Sequence, residues 1–220
     1  MSLADIIYSL FSGYDMLFEL AFAIISLILS IFAFRIYKIT SESKSKLFGV
    51  SFLFISISYF IQSLFNFLAY SRLNEPICLM ANLTSVNLIS YYGNYAHFLF
   101  MIVGLATLLY MTFDIKHLEV LTFLVILSIT AFIMSTNIYY TFYLLSTIYL
   151  SFITWHFIKN YFRKKQKLVL LVALAFSFLL FGSIHFFLSV NHQFFYIIGQ
   201  ILELLAYILI LINFYMVQKK

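Results

Sequence analysis

The chain holds one proline, one cysteine and one tryptophan in 220 residues, and only 10% of its residues are charged. Each scarcity excludes something. With Cys78 alone there is no intramolecular disulfide and no thiolate metal cluster. With Pro76 as the single proline and only six glycines, no long apolar stretch carries the means to unwind at its midpoint, as the helices of broken-helix carriers do. An ordinary soluble domain has about 25% charged residues. A chain with 10% cannot cover a water-facing surface of this size. There is no Gly-rich phosphate loop, no HExxH and no Ser-His-acid order that convinces, so catalysis has no signature here. The opening MSLADIIYSLFSGYD lacks a basic segment and a small-residue cleavage site, and does not read as a secretory signal.

What is present is apolar. Hydrophobic residues make up 64% of the chain and the mean hydropathy is +1.03. Such a composition needs lipid as its solvent, and helices are the simplest spanning structures that satisfy their own backbone. The expected fold is an all-α, polytopic seven-transmembrane-helix bundle. Its spans are about 16–38, 47–70, 92–113, 117–135, 139–161, 168–190 and 194–217. They form a single domain, 16–220. Residues 1–15 read as a short interfacial amphipathic segment, with Leu3, Ile6, Ile7, Leu10 and Phe11 on one helical face. The lipid bilayer is the first partner. Other membrane proteins, or further copies of the chain, are compatible with it. The net charge of +5 lies in short loops rather than on a basic face, so nucleic acid is not expected.

Lysine and arginine set the orientation. Arg35, Lys38, Lys44, Lys46, Lys116, Lys159, Arg163, Lys164, Lys165, Lys167, Lys219 and Lys220 all fall on one side of these spans, and Arg72 alone on the other. The amino terminus is therefore expected outside and the carboxyl terminus in the cytoplasm of a cell-membrane, multi-pass protein. Tyr91, Tyr92, Tyr95, Tyr139, Tyr140 and Tyr143 suit an outer aromatic belt. Ser71 to Tyr91 reads as the one long loop, and Asn82-Leu83-Thr84 within it is a glycosylation acceptor pattern. FRIYKITSESKSKLF and WHFIKNYFRKKQKLV join corresponding spans, which hints at a three-plus-one-plus-three duplication. That plan resembles SWEET-type sugar carriers, whose repeats flank one linker helix, although their proline-glutamine motifs are absent.

Ionisable groups inside a membrane are functional hypotheses by default, because burial costs several kcal/mol unless they are paired or wet. Glu203 falls roughly 14 Å below the outer boundary, with Gln200 and Tyr207 on its face. His97 and His185 are each roughly 8 Å deep, and Asn94 is one turn from His97. Gln62 and Asn66 lie in the outer half of the second span, and Glu19 is shallow in the first. Spans 1, 2, 3, 6 and 7 are thus expected to turn these groups into one outward-facing polar chamber. The rival reading of Gln62, Asn66 and Asn94 is interhelical glue. His97, His185, Glu203 and Glu19 are the candidate metal ligands, and the two histidines could in principle flank a haem. No lysine precedes Lys219 in the last span, which argues against a retinal Schiff base.

The sequence thus points first to binding or sensing of a small molecule or ion, in a receptor-like protein or a subunit of a larger membrane assembly. A small-solute or proton transporter with Glu203 as its titrating group is the alternative. A metal- or haem-dependent membrane enzyme is the third.

Overall fold

A computed structural model describes the backbone of residues 15–73, 79–115, 117–190 and 194–218, and the side chains of these apart from 69–87, 89–90 and 218. Seven α-helices, and no strand, occur among the described residues. They are α1 (Asp15–Thr40), α2 (Ser43–Leu73), α3 (Leu79–Thr112), α4 (Leu118–Ile133), α5 (Ile138–Lys164), α6 (Lys167–Ser189) and α7 (Phe194–Gln218). This is the all-α seven-helix bundle expected from the sequence. The amphipathic segment 1–15 lies outside the described residues, except for Asp15, which opens α1.

The helices are sorted by face. On α1 the exposed residues Leu17, Leu20, Ile24, Leu27 and Ile31 recur at helical spacing. Glu19, Phe22, Ala23, Ser26, Leu29, Ser30 and Ala33 are buried on the opposite side. Large apolar groups face outward and small or polar ones face inward, the arrangement expected when the surrounding solvent is hydrocarbon. Serine hydroxyls then join helices by donating to backbone carbonyls of a neighbour. Ser30 Oγ donates to Gly49 O at 2.7 Å, Ser56 Oγ to Ala23 O at 2.8 Å and Ser63 Oγ to Met16 O at 3.1 Å. Gly104 permits α3 to sit against α2, since a Cβ there would stand 2.8 Å from Ile55 Cγ1 and 3.0 Å from Ser51 O.

Six helices close a ring in the order α1, α2, α3, α5, α6, α7, with α7 returning to α1. Phe98 stacks on Phe142 at 4.1 Å where α3 meets α5. Phe22 stacks on Tyr207 at 5.3 Å where α1 meets α7. The fourth helix packs outside this ring, against α3 and α5. The direct α3–α5 contact closes the ring without α4.

The six ring helices are long and apolar enough to cross a membrane. By contrast α4 has 16 residues, about 24 Å of helix and short of the roughly 20 residues a span normally needs. It nevertheless traverses the bundle. Parallel packing of α3 and α5 is set by Asn94 against Tyr139 at one end and Phe113 against His156 at the other. Running the opposite way, α4 places Phe132 against Phe98 and Ser128 against Tyr149. The start of α1 and the end of α7 therefore lie at opposite ends of the bundle. Ser63 bonds Met16 at the first, and Phe48 meets Phe214 at 5.1 Å toward the second.

We call these the tyrosine end, where Tyr139 and Tyr196 open α5 and α7, and the lysine end. Lys38, Lys44, Lys164 and Lys167 fall at the latter. So do three non-glycine residues at positive φ, Ser41 (55°), Asp114 (55°) and Lys165 (48°), each in a tight turn between helices. Lys44 Nζ and Asp114 Oδ2, 3.0 Å apart, tie two of those turns together.

The loop expected over Ser71 to Tyr91 is mostly helix. Helix α2 runs on to Leu73 and α3 begins at Leu79. Beyond Pro76 the segment contains no residue that breaks a helix. Asn82 thus sits in the first turn of α3, while its side chain lies outside the described residues.

Candidate functional site

The ring encloses an elongated cavity of about 120 Å³, measured as the space open to the centres of water-sized molecules. All six ring helices line it, and α4 does not. It reaches the first turns of α5 and α7 at Tyr139 and Tyr196. At its other end Phe52, Leu108, Leu150 and Phe176 form the floor. Asn94 and Leu108, both on its wall, are 14 positions apart on one helix, about 21 Å.

The polar wall is concentrated toward the tyrosine end. Glu203 faces the cavity from α7, and its Oε1 accepts a hydrogen bond from Tyr59 Oη of α2. Tyr59 and Tyr207 meet edge to face at 6.0 Å and 81°, both nearly inaccessible from outside the bundle. Glu19, 5% exposed, receives Asn66 Nδ2 on both carboxyl oxygens at 2.8 and 2.9 Å. Gln62 Nε2 donates to Asn94 Oδ1 at 3.0 Å, and Asn94 Nδ2 donates to Tyr139 Oη at 2.7 Å, a chain across α2, α3 and α5. Gln200 Nε2 donates to Tyr196 Oη at 2.9 Å.

These bonds leave polar atoms unmatched. Gln62 Oε1, Gln200 Oε1 and Ser146 Oγ are buried without a hydrogen-bond partner, and all three residues line the cavity. Buried polar atoms in folded proteins are nearly always paired with protein or water, and these three, contributed by α2, α7 and α5, open onto the same space. His97 adds to the set. Its Nδ1 lies 3.1 Å from the Ser58 carbonyl, which can only accept, so Nδ1 carries the proton and Nε2 is left as an acceptor. Ser58 Oγ, 2.7 Å from the same nitrogen, also donates to His97 O at 2.8 Å and fixes the ring.

Of the residues singled out in the sequence, Glu203, Gln200, Tyr207, His97, Gln62, Asn94 and Glu19 line this space. Asn66 stands behind Glu19 and supports it. His185 does not join them. Its Nδ1 donates to Phe181 O at 2.7 Å, its ring lies against Phe195 at 5.8 Å, and the inward face of α6 is carried by Phe176, Leu179, Ser183 and Phe186. Asn94 and Gln62 join helices as glue would, yet they also face the cavity. The four candidate metal ligands therefore divide, and no three His, Cys, Asp or Glu side chains gather closely enough to hold a metal among the described residues. A haem between His97 and His185 does not fit, since only His97 faces the cavity.

Sequence reasoning missed two contributors. Tyr59, the partner of Glu203, completes the spacing Ile55, Tyr59, Gln62 on α2. From α5, Tyr139, Tyr143, Ser146 and Leu150 recur at helical spacing and face inward, whereas the tyrosines had been assigned to an outer belt.

No family model, no curated protein and no solved structure matches the chain.

Proposed function

We propose that the chain is a receptor-like membrane protein that binds a small molecule in the cavity between its ring helices. The observation that carries this reading is the trio of buried, unpartnered polar atoms around one cavity, Gln62 Oε1, Gln200 Oε1 and Ser146 Oγ. Each costs about 1–3 kcal/mol if nothing approaches it, and a ligand or bound water removes that cost. The tyrosine end is read as the extracellular face of a cell membrane, and the carboxyl terminus as cytoplasmic. The gathering of basic residues at the opposite end supports this.

Binding is preferred to transport because the cavity ends on the apolar floor of Phe52, Leu108, Leu150 and Phe176, and because no described helix contains a proline that would let it break. The test is native mass spectrometry of protein released from nanodiscs after exposure to a cell extract. Wild-type protein is expected to retain a small-molecule mass that Ser146→Trp, which fills the cavity, does not. Equal retention by both would place the ligand elsewhere and overturn the reading. Concentrative uptake into proteoliposomes that Glu203→Gln abolishes would establish the transporter instead.

A further inference from the structure

We infer that the occupant is an amphiphile whose protonated amine head sits against Glu203, Gln200 and Gln62 and whose apolar tail runs beside Met101, Leu105 and Leu108. This rests on the small-molecule reading above and names its ligand class.

Several side-chain donors of the polar wall are already committed within the protein, while Ser146 Oγ, also on the cavity lining, has no partner and can donate or accept. Gln62 Nε2 goes to Asn94, Gln200 Nε2 to Tyr196, Tyr59 Oη to Glu203 and His97 Nδ1 to Ser58. Two buried atoms that can only accept are left without a partner, Gln200 Oε1, on a side chain only 4% exposed, and Gln62 Oε1, and the Glu203 carboxyl and the His97 ring line the same space. A ligand that satisfies them must bring several N–H or O–H groups.

Charge narrows the choice. Two carboxyls, Glu19 and Glu203, line the space, and no lysine or arginine does. Among the described residues the one ion pair, Lys44–Asp114, lies at the far end of the bundle. An anionic head would meet like charge or force both carboxyls to hold protons. A quaternary ammonium would gain from the faces of Tyr59 and Tyr207 but has no N–H to give. A neutral alcohol offers a single donor and no charge. An ammonium with its own hydrogens meets every requirement, since charge-assisted bonds to carboxylates are about twice as strong as neutral ones.

The tail follows from depth. Below His97 the wall of α3 continues through Met101, Leu105 and Leu108, all buried, and faces Leu150, Phe176 and Phe52. Met101 to Leu108 covers seven positions, about 10 Å. That is room for a medium-length alkyl chain, and it is a poor environment for a polar one.

The experiment uses full-length protein in nanodiscs and four probes of matched chain length: octylamine, octanol, octanoate and octyltrimethylammonium. Methylamine serves as a tailless control. Binding is read by saturation-transfer NMR with competition, against empty nanodiscs. Octylamine is expected to bind about tenfold or more tightly than each of the other three. Glu203→Gln is expected to remove that preference. Leu105→Trp is expected to weaken octylamine while leaving methylamine unchanged, so it separates a blocked tail channel from general misfolding. Equal or tighter binding of octanol, octanoate or the quaternary probe would overturn the ligand class and leave the cavity reading intact. Binding of none of the probes, with no retained mass in the extract experiment, would overturn both.

Discussion

Asn66 is the support of a buried carboxyl, and replacing it with leucine tests how that carboxyl is kept inside the bundle. Leucine has nearly the shape of asparagine, so packing changes little. What is lost is the Nδ2 group that reaches both oxygens of Glu19 at 2.8 and 2.9 Å. Hydrogen bonds to charged groups in proteins are worth about 1.5–3 kcal/mol. Side-chain bonds between membrane helices average about 0.6 kcal/mol and rarely exceed about 1.7, because the unfolded chain in the membrane also finds partners. Glu19 is 5% exposed and Asn66 reaches both of its oxygens, so the upper part of the membrane range applies. Asn66→Leu should therefore destabilise the protein by about 1.5 kcal/mol.

The double variant carries the sharper information. Adding Glu19→Leu removes the orphaned carboxyl, and should recover most of the loss, because an unmatched buried group costs more than a pair removed together. The assay is unfolding by a denaturing detergent in mixed micelles, followed by far-ultraviolet circular dichroism. A change within about 0.5 kcal/mol for Asn66→Leu would refute the reasoning. It would mean that water in the cavity, rather than Asn66, satisfies Glu19. A double variant as unstable as the sum of the singles would refute it equally.

Three other outcomes follow from local geometry. Gly104→Ala should destabilise by about 1–3 kcal/mol in the same assay, because its Cβ would stand 2.8 Å from Ile55 Cγ1 and 3.0 Å from the Ser51 carbonyl. Lys165→Gly should stabilise by about 1 kcal/mol, since Lys165 ends α5 at φ 48°, where glycine carries no Cβ penalty. With Cys78→Ser as background, a membrane-impermeant thiol reagent added to intact cells should label Asn137→Cys and not Glu42→Cys; the reverse pattern would invert the proposed orientation.

Much of the fold is legible in the residues because the bilayer imposes it. Long apolar runs, separated by short basic loops, leave few alternatives to a helical bundle. On α7 the spacing of Gln200, Glu203 and Tyr207 also reads correctly, since three polar groups at helical intervals can share only one face. Other faces were ambiguous for a physical reason. The sixth span is apolar all round, so His185 attracted attention as its one ionisable group, yet Ser183 and Phe186 carry the inward side. Tyrosine is equally at home in a headgroup belt and in a polar cavity, and composition does not separate Tyr143 from a belt residue. Nor does any local signal announce that α4 stands outside the ring. That follows from the fit of Phe98 against Phe142, a contact between residues 44 positions apart.

The account stands on a single chamber shared by the six ring helices, and thiol accessibility tests it most directly. Ser146→Cys and Ser183→Cys, on the Cys78→Ser background, should react with a small water-soluble thiosulfonate in folded protein. Ile148→Cys, on the lipid-facing side of the same helix as Ser146, should not. Unreactive thiols at 146 and 183 in protein that remains folded would contradict the chamber, and with it the binding site built on its wall.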